Sequence, residues 1–144
     1  MGEVVTRYST KQIAHLAGIG ADRLDKWCIR GVLVPSLASG LRGHHGGRER
    51  REWSLADAII VRTMAALSRG GIKPRELRMI AREMARYGAS LAAATLYVVG
   101  HDVIVQPANC PAYSALNAPG QIVMSMSLAP IAQEVDQAVE TLAA

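Results

Sequence analysis

The stretch Tyr8-Ser9-Thr10-Lys11-Gln12-Ile13-Ala14-His15-Leu16-Ala17-Gly18-Ile19-Gly20-Ala21-Asp22-Arg23-Leu24-Asp25-Lys26-Trp27-Cys28-Ile29-Arg30-Gly31-Val32-Leu33 decides the fold. Ser9 followed three residues on by Gln12 is a capping-box pattern, in which each side chain satisfies a backbone N–H of the other residue. Ile13, Leu16 and Ala17 then recur at helical spacing. Gly18 interrupts the pattern, and Ala21, Leu24 and Cys28 resume it as far as Gly31, a residue suited to a left-handed cap. Two short helices meeting through a tight turn are predicted.

Working outward, Val32, Leu33 and Val34 before Pro35 read as a brief strand, and the Gly-, Arg- and His-rich residues 36–50 read as a loop. Arg51 to Trp53 is predicted to return as the second strand of a ribbon, closing a wing beside the two helices. Ser54 with Asp57 caps a third helix whose apolar face is Ile59, Ile60, Met64 and Leu67, stopped by Gly70-Gly71. Pro74 suits the first turn of a fourth helix, with Leu77, Ile80, Ala81 and Met84 on one side and Arg75, Arg78, Arg82 and Arg86 on the other.

Residues 88–94 are small, and read as a link or an extension of the fourth helix. Leu96 to Val99 and Val103 to Gln106 flank Gly100-His101-Asp102 as a hairpin with a three-residue loop. Ile122, Met124, Met126 and Leu128 alternate with polar residues as a half-buried strand does, and Ile131, Val135, Ala138, Val139 and Leu142 mark a final amphipathic helix. The expected class is α+β, mainly α with small β elements. Residues 1–87 form a winged helix-turn-helix, 88–94 the link, and 95–144 a small strand-rich segment with a C-terminal helix.

Charge is segregated along the 144 residues. Residues 1–88 hold all 16 Lys and Arg against eight acids, and residues 89–144 hold four acids and no base, which together give the net +4. A basic first half is the expected footprint of a polyanion-binding surface. Cys28 and Cys110 are too few for a disulfide framework, which fits a reducing compartment. No apolar run approaches the roughly 20 residues of a membrane span and the N-terminus lacks an apolar signal core, so a cytoplasmic protein is expected.

Residues 8–87 resemble the DNA-binding domain of the MerR family. The resemblance is carried by Tyr8-Ser9-Thr10-Lys11-Gln12-Ile13-Ala14, Leu16-Ala17-Gly18-Ile19, and Leu24, Trp27 and Gly31-Val32-Leu33 with Pro35 beyond. It continues in Arg51-Glu52-Trp53-Ser54-Leu55-Ala56-Asp57 and in Gly71-Ile72-Lys73-Pro74-Arg75-Glu76-Leu77. It departs at Asp25, where many members carry an Arg, and in a wing longer than usual. The tail, Leu96-Tyr97-Val98-Val99-Gly100-His101-Asp102-Val103-Ile104-Val105 and Gly120-Gln121-Ile122-Val123, resembles the C-terminal part of helix-turn-helix antitoxins. That second resemblance implies a toxin nuclease as partner, or pairing of two subunits, and repression of the protein's own operon.

The expected function is therefore sequence-specific binding of double-stranded DNA by a homodimer that regulates transcription, without catalysis, cofactor or metal. In a helix-turn-helix the second helix enters the major groove, so Asp22, Arg23 and Lys26 face bases or nearby phosphates. Ser9, Thr10 and Lys11 at the start of the first helix are also expected to contact DNA, and Arg42, Arg48, Arg50 and Arg51 of the wing are placed on the phosphate backbone. Asp25 reads either as an acceptor for cytosine or as a surface pair with a neighbouring cation. An excisionase-like DNA-bending factor and a ligand-responsive regulator are the alternatives, although no convergent polar residues mark a ligand pocket in the sequence.

His44-His45 read as solvated loop histidines rather than metal ligands, because adjacent histidines share one ion poorly. Cys28 reads as a buried structural thiol and Cys110 as an exposed one. The arginine stripe of the fourth helix fits a solvated face, DNA phosphate, the acidic tail or another subunit. The bland reading of the tail is that its strands and last helix complete the core or a homodimer.

Overall fold

The computed structural model describes residues 6–38, 50–99, 102–108 and 123–143. It is of the α+β class. The elements are α1 (Thr10–Ala17), α2 (Ala21–Ile29), α3 (Leu55–Arg69), α4 (Pro74–Met84), a 3-10 helix (Gly88–Ala93), β1 (Thr95–Val99), β2 (Asp102–Gln106), β3 (Val123–Ser127) and α5 (Ala129–Ala143).

Local chemistry sets the helix boundaries. Ser9 and Gln12 close the box at the start of α1, and Ser54 and Asp57 do the same for α3. Both helices thereby satisfy two otherwise orphaned N–H groups. Gly18 and Gly31 adopt φ of +72°, so α1 and α2 each end in a left-handed glycine that side-chain-bearing residues rarely tolerate. The Ile19 N–H then reaches back to the Ala14 carbonyl at 3.0 Å, and the Val32 N–H to that of Trp27 at 2.9 Å. The turn 18–20 joins α1 to α2, and the two helices pack against each other.

The expected strand at residues 32–34 is absent. Val32 and Leu33 are buried as single side chains against the helices, Val34 stands 68 % exposed, and the backbone there joins no ladder. Pairing begins later, where Ala38 and Glu52 exchange N–H···O bonds of 3.1 and 3.0 Å. The returning segment is then claimed by the N-terminus, because Trp53 pairs with Tyr8 through two bonds of 2.9 Å. Burying two aliphatic side chains on the helices outweighs ribbon regularity at this point. Residues 39–49, which carry Arg42, His44, His45 and Arg48, lie outside the described residues, as does Cys110.

In the tail, β2, β1 and β3 form an antiparallel sheet in that order. Val99 pairs with Asp102, so the expected three-residue loop shortens to the two residues 100–101. One face carries Leu96, Val98, Val103, Val105, Met124 and Met126, which pack onto the helices. Residues 88–94 enter the core: Leu91 has no exposed surface, and the Leu128 N–H donates to the Ala94 carbonyl at 3.0 Å. Leu91, Leu96, Leu128 and Val135 of the tail belong to the same buried cluster as Ile13, Leu16, Met64 and Leu77. At about 2 kcal/mol for each fully buried aliphatic side chain, the tail is a substantial part of what holds the helices.

Candidate nucleic-acid interface

α2 buries Leu24 and Trp27 and turns Asp22, Arg23, Lys26, Ile29 and Arg30 to solvent. Its N-cap is Gly20, which offers no side-chain cap, so Asp22 in the first turn is the negative group nearest the positive end of the helix dipole. Arg23 is not idle in this conformation. Its guanidinium lies over the Trp27 ring, 4.9 Å from the centroid, and donates to Ser68 Oγ at the end of α3 at 2.7 Å. Lys26 is exposed beside it.

The segment 50–53 meets α2 through Arg51, which donates to the Asp25 carboxylate on the half-buried side of the helix. Asp25 is thus ion-paired, with a residue 26 positions away rather than with a neighbour on its own helix. Ser9, Lys11, Arg50 and Arg51 line an open concavity of about 430 Å³ with Arg7 and Glu52, which are themselves ion-paired. Among the described residues Lys11, Lys26, Arg30 and Arg50 enter no ion pair.

Thr10 plays a different part from the one expected of it. Its hydroxyl accepts from the Trp53 indole N–H at 3.0 Å, which braces the segment 50–53 against α1 and leaves the hydroxyl's own proton to donate. The structure thus brings Ser9, Lys11, Arg50 and Arg51 together, places Asp22, Arg23 and Lys26 on the adjoining helix face, and uses Thr10 as a brace. Sequence reasoning missed Arg30, which stands four residues after Lys26 and seven after Arg23; helical spacing alone puts it on the same face. It also missed Arg62, whose Nε donates to Glu134 Oε2 at 2.7 Å while its terminal nitrogen donates to the Leu16 carbonyl at 2.9 Å.

Cys28 lies on α2 and is half-buried. Burial pushes its thiol up to about 11 and outweighs the opposing pull of the Arg51 charge, while Asp25 pushes the same way as burial. The neutral thiol is a weak nucleophile and a weak metal ligand, so it contributes packing. No group of three His, Cys, Asp or Glu that could hold a metal ion occurs among the described residues. No described helix is long and apolar enough to cross a membrane.

Compared with known proteins, the chain matches no protein-family model and no curated protein.

Proposed function

We propose that this chain is a cytoplasmic, sequence-specific DNA-binding regulator that acts as a homodimer through a MerR-like winged helix-turn-helix. The observation that carries the reading is the placement of Arg23, Lys26 and Arg30 along the outward face of α2, a helix joined through the Asp25–Arg51 pair to the concavity that Lys11 and Arg50 line. A helix of this width fits the major groove, and the bordering cations suit the phosphates on either side of it. The concentration of every Lys and Arg in residues 1–88 supports the same assignment, since the acidic remainder would be repelled from DNA. A two-fold dimer would read two half-sites about one helical turn apart.

The test is binding of the full-length protein to duplex DNA from upstream of its own coding sequence, by fluorescence anisotropy with random duplex as competitor and salt varied. Tight, selective and salt-steep binding is the expected result. Binding no tighter than that of the random duplex at low salt would overturn the reading. Within this proposal the tail either pairs two subunits or holds a toxin nuclease, and co-purification with the product of an adjacent gene distinguishes the two.

A further inference from the structure

A second cavity lies on the far side of the helical core, between the turn that follows α2 and helices α3 and α4. It has a volume of about 180 Å³. Its walls are apolar, built from Leu33, Trp53, Ile60, Val61 and Ala81, all of them buried side chains. Empty apolar cavities stay dry and take apolar guests, and about 150 Å³ suffices for a benzene ring.

The lining is not apolar throughout. Arg78 and Arg82, one helical turn apart on α4, also line it. Arg78 uses one nitrogen to donate to the Arg30 carbonyl at 2.8 Å, and Arg82 enters no hydrogen bond or ion pair among the described residues. Like charges at this spacing repel, and an anion between them relieves the repulsion with charge-assisted hydrogen bonds. The acid that shares the lining, Asp57, is already satisfied. Its Oδ2 accepts from the Ser36 N–H at 2.9 Å, the Ser36 hydroxyl at 2.7 Å and the Ser54 N–H at 3.0 Å. The two guanidinium groups therefore set the sign of the site.

We infer that this cavity binds a small aryl monocarboxylate, with the ring against Ile60, Val61 and Trp53 and the carboxylate between Arg78 and Arg82. The same chemistry could be presented by the free C-terminus of a peptide ending in Phe. The cavity is too small for more than the terminal side chain, so the free acid is the ligand proposed. The site is independent of the DNA reading, and its test uses no DNA.

Calorimetric titration of the full-length protein with sodium phenylacetate, followed in parallel by tryptophan fluorescence, tests it directly. Saturable binding is expected with Kd of about 1 mM or tighter. The neutral phenylacetamide should bind at least about tenfold more weakly, as should phenylacetate to Arg82→Gln. Arg82 is exposed and holds no hydrogen bond or ion pair among the described residues, so that variant should leave the far-ultraviolet circular dichroism spectrum unchanged. Ala85→Leu, at the exposed rim of the cavity, should abolish binding by filling the mouth, with the far-ultraviolet circular dichroism spectrum unchanged. A pentapeptide with a free C-terminal Phe should bind more weakly than phenylacetate, and tighter binding of the peptide would overturn the assignment to a free acid. No saturable binding of phenylacetate, equal affinity for the amide, or undiminished affinity in both variants would overturn the site itself.

Discussion

Arg51 at the wing root donates to Asp25 on α2, and this one ion pair joins the two surfaces proposed to meet DNA. An arginine held by an acid is only partly available to phosphate. In the proposed complex the pair therefore limits affinity. Asp25→Asn should release Arg51, strengthen binding to all duplexes, and steepen the dependence of log K on log salt. Arg51→Ala should lower the slope, and the two changes together should sum to about one unit. Anisotropy titrations at four salt concentrations measure both, and an unchanged slope in both variants would remove Arg51 from the interface.

In the proposed complex Arg23 would reach bases only by leaving Ser68 and the Trp27 ring. Arg23→Ala is expected to relax discrimination between operator and random DNA by about 1–3 kcal/mol. Lys26→Ala, which breaks no side-chain hydrogen bond or ion pair among the described residues, should weaken both alike. Competition titrations with the two duplexes separate base readout from backbone attraction.

Asp57 serves α3 and the chain after α2 at once. Beyond closing the capping box, it accepts from both the backbone N–H and the hydroxyl of Ser36. Asp57→Ala removes a buried acceptor from three part-buried hydrogen bonds, whose donors water can then reach, and should cost about 1–3 kcal/mol in urea unfolding. Ser54→Ala, which removes only the cap, should cost about 1 kcal/mol.

The tail is not an appendage, and this has a thermodynamic signature. Leu91→Ala empties a fully buried position where the 3-10 helix meets α3 and α5. It should cost about 2–5 kcal/mol, while unfolding remains one transition by both fluorescence and circular dichroism. Two separated transitions would show that residues 95–144 fold independently of the helices.

Cys28 gives a dependence on pH. Its folded value of about 11 lies above the ordinary 9.0 because burial disfavours the thiolate. Between those two values the unfolded chain gives up the proton more readily than the folded one, so this group's contribution to stability is full below pH 9 and is lost as pH rises towards 11. In a variant with Cys110 replaced by Ser, alkylation by iodoacetamide at pH 8 should be far slower for native than for urea-unfolded protein. Equal rates in the two states would show an accessible, ordinary thiol.

Much of this architecture is legible in the sequence because it is local. Ser9 with Gln12, Ser54 with Asp57, Pro74 and Gly31 declare helix boundaries within four residues of themselves, and the alternation from Met124 to Leu128 appears in the burial of β3. The misreadings are non-local. Val32 to Val34 carry strand propensity, but the partner that would have made them a strand is engaged with Ala38 and Tyr8 instead. The link at 88–94 looks featureless because its one informative residue, Leu91, is defined by what covers it. Arg23 and Arg51 are basic residues on the expected surface, but their partners lie 45 and 26 positions away, and no spacing rule reaches that far.

The hydrogen bond from Leu128 to Ala94 brings the entry and the exit of the three-stranded sheet to the same point. Between those two ends, the strands lay Leu96, Val105 and Met126 on the shared core. A segment whose ends are already closed pays little extra closure entropy when its connections change in length, while its inner face stays fixed by what it covers. A change in the connections between strands therefore need not disturb the register of α1 and α2, whereas a change at Leu96 or Val105 acts on the helices directly.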